Sequence, residues 1–130
     1  MADHPTVQQL KRGYKAFGEG DMNVLTEIIP DDAVWHVPGK SQFAGDYKGR
    51  DEIFGYFGKL MELSNGTFKA DLVHAVGDDK FGVAIQHTTV TRNGRTYDRH
   101  DVLVDRMENG TAVETWVYPE DQYAIDEIGA

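Results

Sequence analysis

The chain has 130 residues, of which 40% are hydrophobic and 11% aromatic, and this composition suits one domain spanning residues 1–130. A net charge of -9 disfavours nucleic acid as a partner, because a phosphate backbone would be repelled. The absence of cysteine excludes disulfides and thiolate metal sites. No apolar run approaches the ~18 residues of a membrane helix and the first ten residues do not resemble a signal peptide, so we expect a cytoplasmic protein without a membrane partner.

Helical spacing dominates the first half of the chain. Apolar residues recur at this spacing over residues 7–17, and the glycines at 18 and 20 end the helix. Asp21 is expected to cap a short second helix that closes at Pro30. A third helix is predicted to start near Asp51 and to stop at Ser64-Asn65-Gly66.

The stretch between the second and third helices, WHVPGKSQFAGDYKG, begins as a strand and is then predicted to be irregular. Pro38 cannot donate to a strand ladder, and Gly39 gives the backbone freedom. The stretch carries more aromatic and imidazole side chains than a solvated connection needs: Trp35, His36, Phe43 and Tyr47.

Alternating apolar residues predict strands after Gly66. Asn93-Gly94 and Asn109-Gly110 predict tight two-residue turns between strands over residues 81–91, 95–106 and 112–118. Helices followed by an antiparallel meander indicate an α+β fold, with the helices laid on one face of a curved sheet.

A two-residue turn at Asn93-Gly94 sets the register of the two strands it joins. One face then carries Phe81, Val83, Ile85, His87, His100, Val102 and Val104, and the other carries Ala84, Gln86, Thr88, Tyr97, Arg99, Asp101 and Leu103. The same rule at Asn109-Gly110 puts Trp116 opposite Leu103 and Tyr118 opposite Asp101. It also sets Asp105 against Glu114, an unfavourable pair, so a one-residue bulge that reverses the faces is the alternative.

Asp101 is the acid-base candidate, because a carboxylate under a lid of helices loses solvation and its pKa should rise. Gln86 and Arg99 could orient it or hold a substrate oxygen. The apolar wall for a small flat or cyclic ligand would come from Tyr14, Phe57, Leu60, Leu103, Trp116 and Tyr118. The alternative for Asp101 is an ion pair with Arg99 in a structural network.

Two interpretations are open for the other face of the sheet. His87 and His100 with Asp98 have the composition of a two-histidine, one-carboxylate metal site, but the apolar residues around them favour an outer dimer interface, so no metal is assigned. We therefore expect a homodimer through this face.

Four segments carry a family resemblance over nearly the whole chain: YKAFGEGDMNVL, DDAVWHVPGKSQFAGDYKGRDEIFGYFGKL, TRNGRTYD and ETWVYPEDQYAIDE. They resemble the SnoaL-like polyketide cyclases and ketosteroid isomerase-like proteins of the nuclear transport factor two-like superfamily. The resemblance implies a cone-shaped α+β barrel with three N-terminal helices, commonly a homodimer, and a pocket mouth near Trp35 and His36. By the family's motifs the isomerase base would fall on Val37 and the cyclase carboxylate on Leu103, so the resemblance names the fold and not the reaction.

Three function classes follow. The chain is either a cofactor-independent isomerase, cyclase or hydrolase acting on a small hydrophobic ligand by carboxylate acid-base catalysis, a non-catalytic ligand-binding module, or a dimeric structural module. An open apolar pocket with a carboxylate of raised pKa would favour the enzyme.

Overall fold

The computed structural model describes residues 3–130, which form four helices and one six-stranded sheet. The elements are α1 (Pro5–Glu19), α2 (Met22–Ile28), β1 (Val34–Val37), β2 (Gly45–Lys48), α3 (Arg50–Leu63), β3 (Lys69–Gly77), β4 (Phe81–Arg92), β5 (Arg95–Glu108), β6 (Thr111–Tyr118) and α4 (Gln122–Ile128). The strand order is β2-β1-β6-β5-β4-β3, with β1 parallel to β6 and the other neighbours antiparallel. The predicted α+β class is confirmed, and the sheet is cone-like and open, with β2 and β3 at its edges.

The first three helices lie where the sequence predicts them, although α1 begins at Pro5 and continues through Gly18 to Glu19. Gly20 takes a left-handed conformation with φ 66° and donates its backbone N–H to the last turn of α1. The Asp21 side chain accepts a hydrogen bond from the backbone N–H of Val24 and so begins α2. α3 ends at Leu63, directly before the predicted stop.

The hairpin between β4 and β5 has the predicted two-residue turn. Asn93 and Gly94 have positive φ angles of 53° and 75°, as a type I′ turn requires. The pairs that follow are the predicted ones: Gln86 with Asp101, and His87 with His100. We call the side of the sheet that carries Gln86 the inner face, because α1 to α3 pack on it, and the side that carries His87 the outer face.

The hairpin between β5 and β6 contains a bulge that reverses the faces of β6. The turn at Asn109-Gly110 is as predicted, but the register shifts between Met107 and Arg106, and Val113 has no partner in β5. Trp116 therefore lies opposite Val104 and Tyr118 lies opposite Val102. The prediction that Trp116 and Tyr118 share a face with Leu103 and Asp101 is wrong, and the bulged alternative is the observed one.

Electrostatics explains why the bulged register is preferred. It separates Asp105 from Glu114 and places Arg106 opposite Glu114, whose Oε1 accepts a hydrogen bond from Arg106 Nε at 3.2 Å. Asp105 then lies opposite Thr115, whose hydroxyl donates to its carboxylate at 2.6 Å. One like-charge contact is thus replaced by two favourable polar contacts.

Two short elements correct the sequence-based prediction. Residues 45–48, predicted as irregular, form β2, in which Tyr47 lies opposite Trp35 of β1. A fourth helix, α4, follows Asp121, whose side chain accepts a hydrogen bond from the Ala124 N–H, and its Ile128 is 4% exposed. Both elements close the end of the molecule near Phe43, which is buried beside them.

The core lies between the helices and the inner face in two clusters. The first contains Phe43, Tyr56, Leu60, Val90, Tyr97 and Ile128, and the second contains Ala16, Leu25, Ile29, Ala33 and Ile53. None of the helices within residues 3–130 is long and apolar enough to cross a membrane.

Candidate functional site

A cavity of about 140 Å³ lies between the inner face and helices α1 to α3. Its aromatic walls are Tyr14, Phe17, Trp35, Tyr56, Phe57 and Phe68, and aliphatic side chains such as Leu25, Ile28 and Leu103 complete them. Polar groups occur at few places, among them Gln86, Asp105 and Thr115. A mainly apolar cavity with a few convergent polar groups is typical of a small-molecule site.

Asp105 is the buried carboxyl group of this cavity. It is 8% exposed, and its Oδ1 accepts a hydrogen bond from the Thr115 hydroxyl at 2.6 Å. Burial raises the pKa of Asp105 to about 6, because the low-dielectric surroundings disfavour the charged form, and the Thr115 hydrogen bond only partly offsets this. Within residues 3–130, no donor bonds the second carboxylate oxygen, Oδ2. Oδ2 is thus available to bond a ligand. A pKa of about 6 suits proton transfer near neutral pH.

Three polar side chains form a hydrogen-bonded chain, of which Tyr14 and Gln86 line the cavity. The Tyr14 hydroxyl donates to Gln86 Oε1 at 2.6 Å, and Gln86 Nε2 donates to the Thr88 hydroxyl at 2.8 Å. Burial and then the nearby Asp105 carboxylate raise the pKa of Tyr14 well above its ordinary value, so this hydroxyl keeps its proton. The chain fixes the Tyr14 side chain of α1 to β4.

Asp101 lies on the inner face as predicted, but it is not among the residues that line the cavity. It is 5% exposed, and its Oδ1 accepts hydrogen bonds from the Tyr97 hydroxyl at 2.6 Å and from the Glu120 backbone N–H at 3.0 Å. The predicted Arg99 partner points away, since Arg99 is exposed and contacts Asp121 at 3.5 Å. Asp101 therefore ties the segment before α4 to the sheet.

The remaining predicted site residues divide between the two faces. Tyr14, Trp35, Phe57, Gln86 and Leu103 line the cavity, whereas His36, Trp116 and Tyr118 lie on the outer face, with the sheet between them and the cavity.

His36 stacks on Trp116, with 5.5 Å between ring centroids, and bonds two carboxylates on the outer face. Its Nδ1 lies 2.8 Å from Asp46 Oδ1 and its Nε2 lies 2.6 Å from Glu114 Oε2. Hydrogen bonds to Asp46 and then Glu114 raise the pKa of His36. This network holds β1, β2 and β6 together.

The histidine pair on the outer face has the predicted neighbours. The rings of His87 and His100 are 5.4 Å apart, and His87 Nε2 lies 2.6 Å from Asp98 Oδ1. Within residues 3–130 no group of three histidine or acidic side chains is arranged to hold a metal ion.

Sequence reasoning missed Asp105 because the unbulged register placed Trp116 and Tyr118 on the inner face and opposed Asp105 to Glu114, which drew the assignment to Asp101. The signal was present in the unfavourable Asp105 and Glu114 pair, which only the bulge removes. Asp105 lies on the inner face with Asp101 and Leu103 in either register, and the bulge adds Thr115, which donates the hydrogen bond to it.

A mixed open sheet with three helices covering one face and an apolar cavity between them is the architecture of nuclear transport factor two-like proteins. The sequence profile of the SnoaL-like domain family matches residues 10–115, and the chain belongs to this family.

Solved structures and a sequence relative are similar over nearly the full length. Bal32a, from a soil-derived mobile gene cassette, has a TM-score of 0.92 at 38% identity, with 97% of each chain covered. A protein of unknown function with a cystatin-like fold from Xanthomonas campestris has a TM-score of 0.89 at 30% identity, covering 96% of this chain and 98% of that one. An uncharacterized protein of Mycobacterium tuberculosis is 24% identical, with 100% of both chains covered.

Proposed function

We propose that this SnoaL-like protein is a cofactor-independent enzyme that moves a proton on a small hydrophobic carbonyl compound, with Asp105 as its acid-base group. The observation that carries the proposal is a buried carboxyl with a pKa of about 6 in the wall of an apolar cavity. Asp101, the candidate from the sequence, is replaced in this role because its carboxylate bonds Tyr97 and Glu120 outside the cavity wall.

The chemistry is a proton transfer at carbon. In its anionic form Asp105 takes a proton from a carbon next to the carbonyl, so the C–H bond breaks, an O–H bond forms on Oδ2 and the electron pair moves to the carbonyl oxygen. Return of that proton to a second carbon, as the electron pair moves back from the oxygen, is an isomerisation. In a cyclisation the carbanion carbon attacks another carbonyl of the same molecule, and the alkoxide that forms takes the proton from Asp105. A pKa of about 6 supports both directions of transfer, because each protonation state is accessible near neutral pH.

The second candidate function is ligand binding without turnover. It is favoured by the lining of the cavity, where Asp105 is the one charged side chain in the part of the chain that the structure describes. An enzyme of this kind needs Asp105 to exchange protons with the ligand, whereas a binding module needs only the apolar walls.

A homodimer through the outer face completes the proposal. The half-buried valines at positions 83, 102 and 104 and Ile85 form an apolar row there, and Val76, Phe81 and Tyr118 on the same face are 52%, 47% and 53% exposed. An apolar patch of this kind on a small protein is typical of an interaction surface. Val102→Lys should convert a dimer to a monomer in sedimentation velocity, and a wild-type monomer at micromolar concentration would contradict the dimer.

Deuterium exchange tests the enzymatic proposal. Cyclohex-3-enone in D₂O is incubated with the protein, and NMR follows its conversion to the conjugated isomer and the loss of protons beside the carbonyl. Wild type and Asp101→Asn should catalyse both changes, and Asp105→Asn should lose them. Equal activity of Asp105→Asn and wild type would contradict the role of Asp105. A wild-type protein that binds ring and open-chain ketones without exchanging their protons would be a binding module.

A further inference from the structure

We propose that the ligand of this cavity is built on a single six-membered ring that carries one hydrogen-bond-accepting oxygen, and that the Tyr56 hydroxyl holds this oxygen. The inference concerns the same cavity as the proposed function and names the class of compound it accepts. It rests on the size of the cavity, on the hydrogen bonds of its polar side chains and on its charge.

The volume of the cavity suits a ligand of one ring. The cavity measures about 140 Å³, and an apolar protein cavity of about 150 Å³ holds one benzene molecule. A second fused ring would therefore have to extend out of the mouth of the cavity or displace a wall.

The walls resist displacement because their aromatic rings pack edge to face. Phe57 lies 5.2 Å from Phe17 and 5.3 Å from Trp35, and Phe17 also lies 6.0 Å from Phe68, between ring centroids. Moving Phe17 or Phe57 outward breaks at least two such contacts.

The Tyr56 hydroxyl makes no hydrogen bond to another residue among residues 3–130. The residue lies in α3, lines the cavity and is 7% exposed. Since no fully buried polar side-chain atom within residues 3–130 lacks a partner, this hydroxyl keeps some accessible surface. The Tyr14 hydroxyl, by contrast, is engaged by Gln86. Because its hydroxyl keeps accessible surface and the Tyr56 side chain lines the cavity, a ligand oxygen inside the cavity can accept a hydrogen bond from Tyr56.

The Tyr56 hydroxyl acts as a donor. Burial is the main cause that raises the pKa of Tyr56 above its ordinary value, and the negative forms of Tyr47 and Asp101 raise it further. The hydroxyl therefore keeps its proton, and its natural partner is a carbonyl or ether oxygen.

Charge excludes acidic ligands. Among the described residues that line the cavity, Asp105 alone is ionisable to an anion near neutral pH, and no lysine or arginine faces it there. A carboxylate or phosphate on the ligand would lie beside Asp105 without a compensating cation. The ligand that fits is an uncharged ring.

Tryptophan fluorescence can measure binding independently of turnover. The chain has two tryptophans, and Trp116→Phe leaves only Trp35, which lines the cavity. In this background cyclohexanone should quench fluorescence at lower concentration than benzene. 2-Decalone, with two fused rings, and benzoate, with a charge, should bind at least tenfold more weakly than cyclohexanone.

Tyr56→Phe in the same background should weaken cyclohexanone binding about tenfold and leave benzene binding unchanged, because one buried hydrogen bond is lost. Tyr47→Phe is the matched control. Its ring packs on Tyr56 at 4.7 Å and its hydroxyl donates to the Phe43 carbonyl outside the cavity wall, so neither probe should bind differently.

Three results would overturn the inference: equal binding of 2-decalone and cyclohexanone, equal cyclohexanone binding by Tyr56→Phe and its parent, or tighter binding of benzylamine than of cyclohexanone. The last would mean that Asp105 selects a cation. Since binding is measured without turnover, cyclohexanone that binds through Tyr56 but exchanges no protons contradicts the proposed function alone.

Discussion

Replacing Asp105 by asparagine should stabilise the folded protein above pH 6. Burial raises the pKa of this carboxyl from 3.8 to about 6, so the folded state binds more protons than the unfolded state between these two values. Stability therefore falls as the pH rises through this window and levels off above it. A pKa difference of about two units corresponds to about 3 kcal/mol. Asparagine keeps the shape and can accept the Thr115 hydrogen bond without a charge.

Urea unfolding of both proteins at intervals from pH 4 to pH 8 measures the effect. The free energies of unfolding should be similar near pH 4, and Asp105→Asn should gain up to about 3 kcal/mol at pH 8. Asp32→Asn, at an exposed carboxyl, is the control and should change little at either pH. If Asp105→Asn is no more stable than wild type at pH 8, the carboxyl is solvated and the reasoning about its burial fails.

Three further predictions concern the neighbours of the two buried carboxyls and the outer face. Thr115→Val removes the donor to Asp105 and should raise the midpoint of its titration, measured by NMR, and an unchanged midpoint would contradict the contact. Tyr97→Phe removes a buried donor to Asp101 and should lower the free energy of unfolding by about 1–3 kcal/mol. The variant should still exchange the protons of cyclohex-3-enone, and loss of this exchange in a folded variant would restore Asp101 as a catalytic candidate. His36→Gln should destabilise the protein most below about pH 6.5, and the difference should shrink as the pH rises through the raised pKa of His36, so a pH-independent difference in urea unfolding would argue against its paired charge.

Local turn chemistry explains how much of the sheet could be predicted. Asn93-Gly94 permits the positive φ angles of a type I′ turn, and a two-residue turn determines every pair of the long β4 and β5 strands. No turn dipeptide marks the bulge at Val113. Its position depends on the relative stability of two registers, one with Glu114 opposite Asp105 and one with Glu114 opposite Arg106. The error of one residue exchanged the faces of β6, so Trp116 and Tyr118 were expected on the inner face where Thr115 and Val117 lie, whereas Asp101 and Asp105 share that face in either register.

The missed elements depend on tertiary contacts. α4 has seven residues, too few to be stable by helix propensity alone, and buried Ile128 and the Asp121 cap hold it in place. β2 has four residues, and its pairing with β1 and the Tyr47 contact with Tyr56 stabilise it. That the Tyr56 hydroxyl makes no hydrogen bond within residues 3–130 could not be predicted either, because it depends on the side chains that several elements pack around Tyr56.

The most direct test of the central claim is an NMR titration of the Asp105 carboxyl carbon, assigned with Asp105→Asn, in the absence and presence of cyclohexanone. We expect a midpoint near 6 without the ring and a higher midpoint with it, because a ring in the cavity removes the remaining water from the carboxyl. A midpoint near 4 that does not respond to cyclohexanone would contradict the claim that Asp105 is a buried acid-base group facing the ligand.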